Sequence, residues 1–158
     1  MISLHLVLDT NVVLDWLVWD DPFMLPLRHA VRDKRISIAT QPHAIDELQR
    51  VLAYSQLKLA EQRQAEILNA YCANSSVPEL PTGYAPTSLL LPKGFPNCRD
   101  LDDQPFLALA FHSKAHALVS RDKAVLKLRK RAQKFGVVIL DVPQAMALLI
   151  AATGQSLP

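Results

Sequence analysis

Leu4-His5-Leu6-Val7-Leu8-Asp9-Thr10-Asn11 decides how the rest of this chain is read. A short apolar run closing on a lone aspartate and a polar turn predicts a buried strand that stops at a sheet edge. The run His116-Ala117-Leu118-Val119-Ser120-Arg121-Asp122 repeats the arrangement, with Asp122 in the place of Asp9. In a parallel α/β sheet the carboxyl ends of the strands and the starts of the following helices share one edge, where ligands bind. A third acidic group, Asp100, Asp102 and Asp103, opens the helical stretch just before the second run. Carboxylates gathered at one edge repel each other unless a cation sits among them. A divalent-metal site is therefore the first expectation.

Working outward, the residues between these runs alternate strand and helix. A helix is predicted over 11–19, and Asp20-Asp21-Pro22 resets the chain into a second. Ile36–Ala39 reads as a strand. Thr40 is placed to cap a helix with Pro42 in its first turn, running through His43–Tyr54. A further amphipathic helix covers 59–73, and the proline-rich stretch 76–97 reads as a long loop with room for one irregular strand. Then follow a helix over 106–114, a strand over 117–120, a helix over 123–134, a strand over 137–140, and a terminal helix from Pro143 to near Gly154. This alternation predicts an α/β fold with an open parallel sheet covered on both faces.

Composition narrows the class. The chain has 158 residues, half of them hydrophobic and a fifth charged, as expected for one globular domain over 1–152 with a short tail at 153–158. A net charge of +2 is too small to imply nucleic acid without local clustering. Cys72 and Cys98 lack metal-motif spacing and suggest reduced thiols. The start MISLHLVLD has no basic region of a secretory signal, and no apolar stretch is long enough to span a membrane. A cytoplasmic protein without membrane attachment is expected.

Each acid also has a plainer explanation. Asp9 fits a helix cap. Glu47 lies on the flank of a stripe formed by Ala44, Ile45, Leu48, Val51 and Leu52, where it leans over the sheet edge or pairs with Arg50; Asp46 points the opposite way, to solvent. Asp103, two residues before Pro105, fits a cap yet lies on the sheet-facing side of its helix. Ser120 offers an alternative cap that leaves Asp122 free. Asp100 ranks above Asp102 as a further acid. Caps have no need to converge at one edge, so the joint pattern favours a site.

The segments VLDTNVVLDWL, IDELQRVL, CRDLDDQPFLALA and LVSRDKAVLKL, in this order, resemble the PIN domain, and more narrowly its branch of toxins from toxin–antitoxin modules. The resemblance runs from Leu4 to about Leu149. It implies a three-layer α/β/α fold around a mostly parallel sheet of about four to five strands, with an acidic pocket that cleaves single-stranded RNA. The family's acids fall on Asp9, Glu47, Asp103 and Asp122. Asn11 belongs to the same pocket, and Asp100 matches the acid preceding the cluster. Two departures stand out. Gln104 replaces a third consecutive acid, and Ser120-Arg121-Asp122-Lys123-Ala124 replaces the commoner T-G-D-K-D.

Carboxylates without nearby His or Cys suit Mg²⁺ or Mn²⁺. The expected metal ligands are Asp9, Asp103, Asp122 and Asp100, with Glu47 orienting the attacking water and Ser120 supporting the pocket. Arg121, Lys123, Lys127, Lys130, Arg131 and Lys134 are the candidates for RNA phosphates, the last five on one face of the helix over 123–134. A solvated helix face is the plainer reading of those cations. His112 and His116 have helical ligand spacing but no third partner. Trp16 and Trp19 are assigned to the core. The helices over 11–31 and 42–73 are where a homodimer or an antitoxin is expected to dock. The alternatives are a catalytically weak RNA-binding module and a Mg²⁺-dependent aspartyl-phosphate phosphatase. The second lacks its usual acid two residues after Asp9, where Asn11 stands.

Overall fold

The computed structural model describes residues 3–80 and 90–153. The tail at 154–158, the expected helix end near Gly154 and the centre of the proline-rich stretch lie outside the described residues. Strands β1 (Leu4–Leu8), β2 (Ile36–Ala39), β3 (Ser75–Ser76), β4 (Ala117–Val119) and β5 (Ile139–Leu140) form one sheet in the order β3-β2-β1-β4-β5. Every neighbouring pair is parallel, with Leu6 of β1 level with Ile38 of β2 and Ala117 of β4. The helices are α1 (Thr10–Leu17), α2 (Leu25–Arg32), α3 (Pro42–Leu52), α4 (Glu61–Ala73), α5 (Gln104–His112), α6 (Lys123–Leu126), α7 (Arg129–Gln133) and α8 (Val142–Thr153).

Side chains alternate across a strand, so the sheet has two apolar faces. Leu4, Leu6 and Leu8 of β1, with Ile38 and Val119, pack among α1, α2, α4 and α8 through Val12, Leu27, Ile67 and Leu149. Val7, Ala39, Leu118 and Ile139 face the other way, onto Leu107 and Leu109 of α5, Val125 and Ala132. The result is a three-layer α/β/α fold with β1 at its centre.

The chain runs from β1 outward to β2 and β3, then crosses back to β4 on the other side of β1. The gap between β1 and β4 at their carboxyl ends is thus the point where strand order reverses, and such a crevice is the usual ligand site of an open α/β sheet. Asp9 follows β1 and Asp122 follows β4, and both reach that gap. Backbone pairing continues one residue past β1, with the Asp9 N–H donating to the Val119 carbonyl at 3.0 Å.

Several local expectations are corrected. Thr40 does not cap α3: Gln41 holds that position, fully buried, and donates to the Pro105 carbonyl at 3.2 Å, while the Tyr71 hydroxyl donates to Thr40 Oγ1. The helix predicted over 123–134 is broken into α6 and α7, because the Leu128 N–H bonds back to the Val125 carbonyl, an i→i−3 turn. Helix α1 ends at Leu17, and Trp19 beyond it is 51 % exposed and outside the core, whereas Trp16 is buried. Among the described residues, the irregular strand is β3, just ahead of the loop's prolines.

Candidate active site

The turn Asp9-Thr10-Asn11 brings the first acid to the crevice. Asp9 is 5 % exposed and stands at the N-cap position of α1, but its side chain makes no cap bond. Instead its Oδ2 accepts from the Ser120 hydroxyl at 2.7 Å, across the gap from β4. Ser120 Oγ in turn accepts the Asp122 N–H at 3.0 Å, so one buried hydroxyl ties the two strand-end aspartates together. Ser120 therefore does not replace Asp122 as a cap. Asp122 itself caps α6, its Oδ1 accepting the Ala124 N–H at 2.8 Å, which leaves its second oxygen outside the cap.

The third acidic group is shaped by a tight turn. Asp100 Oδ1 accepts the Asp102 N–H and the Asp100 carbonyl accepts the Asp103 N–H, which sets Asp100 and Asp103 side by side above α5. Asp103 is 7 % exposed and makes no side-chain cap bond, and its Oδ2 is buried with no hydrogen-bond partner. Oxygens of Asp100, Asp103 and Asp122 all lie within 4.8 Å of one another. Asp9 and Glu47 share the pocket but stand outside that trio. Glu47 enters from α3, where the Thr10 hydroxyl donates to its Oε2 at 2.8 Å.

These groups line one cavity of about 410 Å³, with Asn11 and Arg121 on its wall as well. Burial raises the Asp9 carboxyl above its ordinary range and Asp122 adds to the rise, while the Ser120 bond opposes it. Burial also raises Glu47, against the Thr10 bond. Asp103 is pushed up to about 8, first by burial, then by the charge of Asp9, by a side-chain hydrogen bond with Asp122, and by the charges of Asp122 and Asp100. A buried carboxylate without a donor is costly. The arrangement thus favours positive charge at the orphaned Asp103 oxygen, supplied by a proton or a cation. An all-oxygen donor set within a few ångströms fits a hard divalent cation and offers zinc none of its preferred nitrogen or sulfur ligands.

Other expected residues fall in different places. Arg121 binds Asp15 Oδ2 at 3.1 Å while still facing the cavity. Asp15 is buried on α1; burial raises its pKa and Arg121 opposes the rise. Lys123, Lys127, Lys130, Arg131 and Lys134 are exposed, and Val125, Leu128 and Ala132 are buried beneath them. Gln104, at the position of the missing acid, is engaged with the preceding loop: it accepts the Cys98 N–H at 2.6 Å and donates to the Pro96 carbonyl. His112 contacts the Leu90 carbonyl and His116 Nδ1 accepts the His5 N–H, so the two histidines have separate partners.

Sequence reasoning missed Thr10, Trp19 and Tyr54 as cavity residues, and Asp15 as the partner of Arg121. A hydroxyl directly after a strand-end acid was a usable signal for Thr10. Tyr54 lies past the end of α3, where the helical wheel that placed Glu47 no longer applies. Nothing local marked Trp19, since α1 stops before it.

The family model of the PIN domain matches residues 5–124, which include all the acids of this pocket. No curated protein and no solved structure matches the chain.

Proposed function

This chain belongs to the PIN domain family, and from that premise we propose that it is a metal-dependent endoribonuclease acting on single-stranded RNA. Asp103, Asp122 and Asp9 would hold Mg²⁺ or Mn²⁺, with Asp100 completing the oxygen set. When bound, such a cation lowers the pKa of water and neutralises charge on the phosphate. Glu47, fixed by Thr10 and raised by burial, is suited to orient the attacking water and accept its proton. Ser120 fixes Asp9, and Asn11 offers an amide at the rim. Arg121, Lys123 and the exposed cations on α6 and α7 supply the positive charge that a strongly acidic pocket needs before it can approach a phosphate chain.

One observation carries this reading. The buried, unpartnered Asp103 oxygen sits within a trio of carboxylates whose donor atoms lie within 4.8 Å, at the point where strand order reverses. The proposal extends to the toxin role on the motif resemblance, with α1–α2 and α3–α4 as the faces for an antitoxin or a second copy.

The test is incubation of the purified protein with single-stranded RNA in Mg²⁺, in Mn²⁺ and in chelator, alongside Asp9→Asn and Asp122→Asn. Cleavage that requires the cation and falls at least about 100-fold in both variants, whose melting curves stay intact, is the expected result. In cells the same two variants should relieve growth arrest caused by the wild-type chain. RNA binding without cleavage in either metal would instead establish the binding-module alternative, and variants that cut like the wild type would remove both aspartates from the site.

A further inference from the structure

The cavity that holds the acids is not lined by acids alone. Along α3, Glu47 and Val51 line the cavity wall, with Tyr54 just past the helix end, and along α1 Asn11 and Leu14 face it, with Trp19 beyond that helix end. The same wall carries Trp19 and Tyr54, each 51 % exposed, together with Leu57. Tyr54 follows the end of α3 at Leu52 and has an extended backbone. Two large aromatic faces left open to water in the same cavity as a phosphate-directed acidic site need an apolar, planar occupant.

We propose that Trp19 and Tyr54 form a stacking platform for the bases of nucleotides neighbouring the cleaved phosphate. The inference rests on the reading of this cavity as a site for single-stranded nucleic acid. Asp9, Glu47, Asp100, Asp102, Asp103 and Asp122 repel a phosphate backbone, so contacts to the uncharged part of the nucleotide add affinity that these acids do not oppose. Every base has a π-face, and stacking on Trp or Tyr is strong and tolerant of sequence. The platform thus gives grip without base reading.

The test separates base from backbone. Binding of a single-stranded oligoadenylate and of an abasic oligomer of the same length is measured in Ca²⁺ by quenching of tryptophan fluorescence and by anisotropy of a labelled strand. The wild type is expected to bind the oligoadenylate at least about 10-fold more tightly than the abasic strand. Trp19→Ala with Tyr54→Ala should erase that difference, and Trp19→Phe with Tyr54→Phe should restore most of it. Equal affinity of the wild type for both strands, or an alanine pair that binds the oligoadenylate like the wild type, overturns the platform. Cleavage is read separately in Mn²⁺: a base preference that survives in a protein unable to cut RNA would retain the platform and reject the nuclease reading.

Discussion

Asp103 carries most of the electrostatic tension in this molecule, and the tension has a measurable sign. Its folded pKa of about 8 lies far above the ordinary 3.8, and Asp9 and Glu47 are displaced in the same direction. A carboxyl raised on folding favours the native state while it is protonated. That contribution is complete below about pH 4 and is lost as pH climbs through 8. The melting temperature of the chelator-treated protein should therefore fall as pH rises from about 5 to about 8.5. Asp103→Asn should flatten the slope and make the metal-free protein more stable at high pH, as followed by thermal melts. An unchanged slope in the variant would place the tension elsewhere. The sequence exposed Asp103 as a sheet-facing acid, but its titration depends on Asp9 and Asp122, which are distant in the chain, and no local pattern encodes such a sum. Glu47 was legible because a helical wheel suffices to set a flank residue over an edge. The Ser120 hydroxyl joining Asp9 to Asp122 was not, since it links β1 to β4, neighbours in the sheet that lie far apart in the chain.

At the scale of elements, helix and strand order was readable from periodicity, while ends and breaks were not. Helix α5 shows why: Pro105 to Ala110 are all buried, so its apolar residues form no stripe, and only the acids before it mark its start. The division of α6 from α7 preserves one exposed basic surface despite the turn at Leu128. Replacing Lys127, Lys130 and Lys134 with Gln should weaken binding of single-stranded RNA and reduce the slope of log K against log salt by about 2, at about 0.7 per lost phosphate contact. Titrations at several salt concentrations check this, and an unaltered slope would leave these lysines as a solvated helix face. Gln104 illustrates a departure from the family motif with a local reason: its amide braces Pro96 and Cys98, the loop that leads into the acidic turn.

For the whole molecule, the return from β3 across to β4 opens the crevice, and the acids of three separate segments enter it. Parallel strands with connecting helices and right-handed crossovers limit the possible orders, which is why strand-end aspartates could be expected on one edge. Which gap they would occupy depended on strand order, and that emerged only in three dimensions. The central claim is that these carboxylates form a cation site. Titration of Mn²⁺ into the purified protein, followed by the loss of the free-ion paramagnetic resonance signal, tests it most directly. The account predicts saturable uptake by the wild type, competed by Mg²⁺ and weakened at least about 10-fold by Asp103→Asn; a free-ion signal that the wild type leaves undiminished, or equal uptake by the variant, would contradict it.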